Sequence, residues 1–292
     1  MPDLPLDVVL REARARLAEA GVTGPDAELL AAWATGRTPG ELRLAALVGT
    51  MIDADAQDRF RRALARRAAR EPLQRITGIA PFRHLELRVG PGVFTPRPET
   101  ELLVDVALAH LAERASGPGG AHPLVLDVGT GSGAVAIAIA TESDARVVAV
   151  EASPAAYTWA RANVAALAPG VALVHADGRD EAALAEAGIG PGALDALVSN
   201  PPYVPGAAIP ADAEVREHDP AAALHSGADG LDLIRDLAPL AARLLRPGGL
   251  VALEHAEHQG AAIRAILAAA GLREARTIAD LTGRDRVTAA VR

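Results

Sequence analysis

An apolar run from Leu124 to Val128 ends in Gly129-Thr130-Gly131-Ser132-Gly133 and passes directly into the Ala/Ile-rich segment Ala134 to Ala140. This strand, glycine turn and helix constrain the chain more than any other feature. A helix that crosses over a sheet returns the chain to a parallel strand, and short Val/Leu/Ala strands between helices are covered on both faces. Strands are expected at residues 123–128, 146–151, 171–175, 194–199, 250–254, 273–279 and 286–291, and helices at 153–168, 230–245 and 258–270. Only Asp280 to Asp285 separates the last two strands. That is too short for a helical crossover, so they should form a hairpin. The fold class is α/β: seven strands, mostly parallel, with an antiparallel C-terminal hairpin.

The N-terminal part reads differently. Leu6, Val9, Leu10 and Leu17 recur at helical spacing. Gly24-Pro25 and Thr38-Pro39 place prolines in first turns, and Asp53 or Asp55 can cap a helix running to about Arg70. Residues 1–70 are therefore expected to be a small helical bundle with no strand. Pro72 and Gly78 break that pattern, and Phe82 to Val89 alternates as a strand. Gly90-Pro91-Gly92 reads as a turn, with Val93 to Thr95 returning as a short second strand. The expected domains are a helical domain at 1–70, a β-hairpin linker at 71–96 and a catalytic domain at 97–292. That last domain would open with a helix from Pro98 to Arg114 and a surface loop at Ser116 to Gly120.

Composition narrows the class. The chain has no cysteine, which excludes disulfides and thiolate chemistry and makes a cytoplasmic setting the default. No apolar run is long enough to span a bilayer, Met1 to Pro5 does not resemble a signal peptide, and no spacing suggests a metal site. The net charge is −8, with every basic residue an arginine, which argues against stable binding of nucleic acid. Residues 1–70 are electrostatically distinct, holding 11 Arg against 10 Asp and Glu.

The glycine loop lets the backbone turn sharply and approach a ligand, while the helix behind it offers free N–H groups. A tight structural turn, or a variant dinucleotide fingerprint at Gly129, Gly131 and Ala134, would also account for these residues. Glu151 ends the second strand 20 residues past Gly131, where a carboxylate can accept both ribose hydroxyls of an adenosine. Asp177, past the third strand, can take an adenine amino hydrogen. A nicotinamide cofactor and S-adenosylmethionine both satisfy this pattern.

The fourth strand separates them. It runs into Asn200-Pro201-Pro202-Tyr203, at the carboxyl edge where open α/β sheets bind ligands. The prolines stiffen the backbone and leave carbonyls as acceptors. Asn200 adds one acceptor and two donors, and Tyr203 a flat face. These groups suit a planar NH2: the Asn200 oxygen and the Pro201 carbonyl each accept one N–H, and Tyr203 stacks. Residues 204–229 form a long polar stretch of the sort that serves as a binding loop.

Asn200 to Tyr203 resembles the signature of N-methyltransferases acting on planar amides or amines, and the sheet is that of Rossmann-like methyltransferases. Phe94-Thr95-Pro96-Arg97-Pro98-Glu99-Thr100-Glu101 is similar to a signature of the release factor glutamine methyltransferases, the HemK/PrmC family. Glu71-Pro72-Leu73-Gln74, Gly78, Asp219-Pro220 with Ala223-Leu224, and Leu253-Glu254-His255 fit the same family. The resemblance covers nearly the whole chain. It implies methyl transfer from S-adenosylmethionine to N5 of the glutamine in the Gly-Gly-Gln motif of bacterial class I peptide chain release factors, with the first domain contacting the release factor. It assigns Asn200, Pro201, Pro202 and Tyr203 to substrate and catalysis. To the cofactor it assigns Asp127, Gly129, Thr130, Gly131, Ser132, Gly133, Glu151, Asp177, Gly178 and Asn200, with Phe94, Arg97 and Glu99 near its methionine end.

Two positions depart from the family: Gly178 where an aromatic often follows the Asp177 equivalent, and Arg75 where Tyr or His is usual. Arg59, Arg62, Arg66 and Arg70 share one helix face, either solvated or docking an acidic partner. The rival function is methylation of an exocyclic amine on a flipped nucleic-acid base, which the same tetrapeptide can hold. A non-catalytic binding module and a nicotinamide dehydrogenase are weaker readings.

Overall fold

The structure, a computed structural model, describes residues 4–115, 122–210 and 212–292; the loop expected at Ser116 to Gly120 lies outside them. The chain divides into two compact units: Met1–Ile79 with Ala211–His218, and Ala80–Pro210 with Asp219–Arg292.

The first unit is built on β1 (Leu4–Pro5), α1 (Leu6–Glu19), α2 (Asp26–Thr35), α3 (Pro39–Leu47), β2 (Met51–Ile52), α4 (Ala54–Ala68) and α5 (Leu73–Thr77). Asp53 caps α4 through its side chain, and Thr38 closes a capping box with Glu41 on α3. Leu6, Leu10, Leu17, Leu30, Leu42, Phe60 and Leu64 make one core. The expectation of no strand is corrected by the two-residue bridge in which Leu4 pairs with Ile52 and Pro5 with Met51. Two residues are too few to leave an alternation in the sequence.

The shared arginine face of α4 is spent inside this unit. Arg59 donates to the Ala34 carbonyl at the end of α2, Arg70 donates to the Gly21 carbonyl, and Arg66 pairs with Glu71. Arg62 pairs with Asp58. Arg67, outside that set and buried, holds the carboxylates of Asp26 (2.6 Å) and Glu214 (2.7 Å). Glu214 belongs to the returning segment, so the stretch read as one polar loop contributes a helical piece to this unit. Arg75 donates to the backbone carbonyl of His218 in the same segment.

From Ala80 the second unit carries a hairpin, β3 (Ile79–Phe82) and β4 (Leu85–Arg88), whose first residue closes the first unit. Its turn is at Arg83 and His84, with Arg83 in the left-handed region (φ 53°). The strand expected from Phe82 to Val89 is therefore the end of one strand and the whole of the next. The two-residue turn preserved the alternation across it, which hid the break. Val93 to Thr95 forms no strand: three residues running into Pro96 offer too short a ladder to pair. The hairpin packs within this unit, where Ala80, Val89 and Val93 cluster with Ala156.

Then follow α6 (Glu101–Ala115), β5 (Leu124–Val128), α7 (Ala134–Glu142), β6 (Arg146–Glu151), α8 (Pro154–Leu167), β7 (Ala172–His175), α9 (Glu181–Glu186) and β8 (Leu194–Ser199). After α10 (Ala213–His218), which lies in the first unit, come α11 (Asp232–Leu244), β9 (Leu245–Glu254), α12 (Gly260–Ala269), β10 (Arg273–Ala279) and β11 (Asp285–Val291). The sheet order is β10-β11-β9-β8-β5-β6-β7. β11 runs antiparallel to both its neighbours and the remaining pairs are parallel. The seven strands and the C-terminal hairpin are those expected. Separate apolar clusters cover the two faces, one with α6 and α7, the other with α11 and α12. Each fully buried Leu or Ile there contributes about 1.5–3 kcal/mol. No helix among the described residues is long and apolar enough to cross a membrane.

Candidate active site

The strand order reverses between β5 and β8, which opens a crevice at their carboxyl ends. Register aligns the ends closely: Val128 pairs with Val150 and with Ser199, and Ser199 pairs with Leu253. The residues that follow, Gly129, Glu151, Asn200 and Glu254, therefore leave four neighbouring strands at one level.

Gly129, Gly131 and Gly133 all take left-handed backbone (φ 71°, 60° and 88°), a conformation that favours glycine. The Gly129 and Thr130 N–H groups both donate to the Val150 carbonyl, which folds the loop over β6. The Ser132 carbonyl accepts from the Asn163 side chain (2.9 Å). The buried Glu151 carboxylate binds one backbone N–H on each oxygen, Gly131 at 2.8 Å and Ser153 at 2.7 Å. It thus fastens the glycine loop to the start of α8 and keeps one lone pair per oxygen free of these bonds. Asp127 is buried beneath, accepting from the Thr130 hydroxyl (2.7 Å). Burial pushes its pKa up to about 7, against the pull of Thr130 and with a push from Glu151.

Asp177 is exposed and held by Arg179 at 2.6 Å, which lowers its pKa. Gly178 is buried, and a Cβ there would stand 2.3 Å from Val128 Cγ1. The missing aromatic thus goes with a backbone pressed against the end of β5. Beside it, the Tyr157 and His175 rings stack at 4.6 Å, a pair that the sequence reading did not single out.

The tetrapeptide is anchored on both sides. The Ser199 hydroxyl donates to the Val128 carbonyl (2.7 Å), and the Tyr203 carbonyl accepts from Gln259 (2.9 Å). Val204 then pairs with His225 in an isolated bridge. Asn200 Nδ2 donates to the Thr100 hydroxyl (3.2 Å). The Glu254 carboxyl, buried at the end of β9, interacts with both Thr100 and Asn200. Burial carries its pKa up to about 7, opposed by Thr100. Burial also raises the Tyr203 pKa, with a further push from Glu254.

Phe94 and Arg97 come together, the guanidinium 5.3 Å from the ring centroid. Arg97 pairs with the buried carboxylate of Asp219 at 2.9 Å. Glu99 is exposed, yet its charge raises the pKa of both Glu254 and Tyr203. Thr100, Glu254 and Gln259 were not singled out from the sequence. The signal for Glu254 was present: it ends a strand at the level of Asn200, the same rule that marked the tetrapeptide.

Comparison with known proteins bears on this arrangement. The PrmC N-terminal domain model matches residues 9–78, and the methyltransferase small domain model matches residues 85–218. A Bifidobacterium longum protein named release factor glutamine methyltransferase is 41% identical over 97% of this chain and 98% of its own length. A Streptomyces coelicolor protein of the same name is 46% identical over 85% of this chain and 84% of its own. The chain belongs to the release factor glutamine methyltransferase family. It is a methyltransferase that uses S-adenosylmethionine. A further relative, 39% identical over 90% of this chain and 87% of its own, is the 4-amino-L-phenylalanine/4-methylamino-L-phenylalanine methyltransferase of Streptomyces pristinaespiralis.

Proposed function

We propose that the protein transfers a methyl group to the side-chain amide nitrogen, N5, of the glutamine in the Gly-Gly-Gln motif of class I peptide chain release factors. The observation that carries this reading is the register that sets Asn200 beside the glycine loop, at the switch in strand order.

The residues suit the cofactor. The glycine loop presents bare backbone: a Cβ at Gly129 would meet nothing within 4 Å. Glu151 keeps acceptor capacity for two ribose hydroxyls beyond its two backbone bonds. Gly129, Gly131, Gly133 and Glu151 would hold S-adenosylmethionine, with Thr130, Ser132 and Asp127 shaping the loop and Asp177 and Gly178 flanking the adenine. Phe94, Arg97 and Glu99 would stand toward the methionine end. When bound, the cofactor supplies an electrophilic methyl on a sulfonium.

The rest is the work of this chain's residues. Asn200 Oδ1 and the Pro201 carbonyl accept the two N–H groups of the glutamine, while Tyr203 lies against the amide plane. An amide nitrogen is a poor nucleophile because its lone pair is delocalised. Acceptors placed for a pyramidal nitrogen bind better as the lone pair localises, so they favour the transition state over the ground state. Holding the amide in line with the methyl supplies the remaining advantage. The proton leaves to water after attack.

The Streptomyces pristinaespiralis relative makes an arylamine the second substrate class to test. Purified protein, labelled S-adenosylmethionine and release factor should give labelled release factor. Labelling should vanish when the acceptor glutamine is replaced, and Asn200→Ala should cost at least ~100-fold, as for loss of a transition-state hydrogen bond. Label in an arylamine, RNA or DNA, with release factor unlabelled, would overturn the assignment.

A further inference from the structure

Asn200 has two nearly isosteric ends, and turning its amide over exchanges an acceptor for a donor. Gripping an NH2 group requires Oδ1 to face the substrate, so Nδ2 must be held on the inner side. Nδ2 donates to the Thr100 hydroxyl at 3.2 Å. Thr100 and Glu254 are both buried, and the Thr100 hydroxyl and the Asn200 amide lie close enough to the Glu254 carboxyl to pull its pKa down against burial. Glu254 Oε2 has no hydrogen-bond partner, and no ion pair includes Glu254 among the described residues; Arg286 pairs with Asp280 at 3.5 Å and reaches Glu254 only through its field. Register explains the meeting: Ser199 pairs with Leu253, so Asn200 and Glu254 leave adjacent strands together, with Thr100 beside them at the start of α6.

We propose that Thr100 and Glu254 are positioning residues that set the sense of the Asn200 amide, Glu254 drawing the Thr100 proton inward so that the Thr100 oxygen accepts Nδ2–H and Oδ1 is left for the substrate. Above its pKa of about 7 the Glu254 carboxyl is ionised and only accepts hydrogen bonds. Its partner hydroxyl must donate to it, and the one orientation left to that hydroxyl is acceptor toward Asn200. Without Glu254 the hydroxyl is free to donate to Oδ1, and the amide turns its wrong end outward. The inference rests on the reading that Asn200 grips the substrate amide, but half of its test needs no turnover.

The chain has two asparagines, Asn163 and Asn200. Protein labelled with ¹⁵N-asparagine therefore shows two side-chain amide pairs. Asn163 is the internal control, its Nδ2 bonded to the Arg88 and Ser132 carbonyls. Thr100→Val and Glu254→Met should each move the Asn200 pair toward free-amide shifts and speed its solvent exchange, leaving the Asn163 pair in place. Thr100→Ser, which keeps the hydroxyl, should restore the wild-type signals. In methyl transfer, Thr100→Val and Glu254→Met should each lower kcat about tenfold, as for one net hydrogen bond. Cofactor affinity by calorimetry should stay within twofold, and the double variant should be no slower than the slower single one. An Asn200 pair unmoved in Thr100→Val overturns the inference, whatever the substrate. So do losses that multiply in the double variant, which would mean separate structural effects. A wild-type enzyme that labels no release factor sinks the functional reading alone, since the amide signals still decide the orientation.

Discussion

Replacing Glu151 by Gln tests the cofactor reading at its strongest point. The carboxylate accepts Gly131 N–H on one oxygen and Ser153 N–H on the other, at 2.8 and 2.7 Å. A glutamine has one oxygen, so whichever way its amide turns, an NH2 faces one of the two backbone donors. One charge-assisted bond is lost and one buried donor is stranded, a cost of about 1.5–3 kcal/mol. That cost falls partly on the loop itself, so the unfolding free energy in urea should drop by about 1–2 kcal/mol. Cofactor affinity should drop further, because one of two ribose acceptors becomes a donor on a displaced loop. Titration calorimetry with S-adenosylhomocysteine should show binding weakened about 10–100-fold, equivalent to roughly 1.4–2.8 kcal/mol. Asp177→Asn is the companion control. Asp177 is exposed and paired with Arg179, and an exposed pair is worth about 1 kcal/mol at most, so its loss should weaken binding less than about fivefold. If Glu151→Gln binds the product within threefold of wild type, or Asp177→Asn proves the more damaging change, the reasoning is wrong.

Three further outcomes follow from burial. Asp127 and Glu254 both have folded pKa values raised to about 7, so the folded state binds more protons than the unfolded chain between about pH 4 and 7. Their contribution is complete below the unfolded values and is lost as pH rises through 7. Asp127→Asn should flatten the decline of stability between pH 5 and 8 seen by urea denaturation, and an unchanged slope refutes the assignment. Gly178→Ala should destabilise by about 1–3 kcal/mol through the clash with Val128, and Val128→Ala should recover at least half of that in the double variant. Additive losses in thermal unfolding would rule the clash out. Arg67→Met strips the largely buried Asp26 of its cation and leaves Glu214 only the longer pair with Arg70 (3.4 Å), costing about 3 kcal/mol. Limited proteolysis should then cut first near residues 211–218. Protection there equal to wild type would mean that Arg67 does not hold the segment.

Most of the architecture was legible in local pattern. Strands of Val, Leu and Ala, a glycine turn after the first of them and a six-residue gap before the last are all short-range features. They set the sense of the strands, because a helical crossover imposes parallel pairing and a short gap imposes a hairpin, while the order came only with the tertiary structure. The helix caps at Thr38 and Asp53 lay in the sequence for the same reason. The glycine loop, Glu151 and Asn200 to Tyr203 were readable because one rule, ligands at the carboxyl ends of strands, acts on residues whose place in the chain is known.

Local pattern was blind where the deciding contact spans the chain. Nothing near Arg67 in sequence marks it for Glu214, 147 residues away, and a stretch that reads as one polar loop is divided between two units. The turn at Arg83 was hidden because two residues leave strand alternation in phase. Thr100 reaches Asn200 across 100 residues, and Glu254 meets both through pairing of β8 with β9. Composition and spacing specify which elements form. Which side chain a buried carboxylate faces depends on register and packing between elements, and those exist only once the sheet has closed.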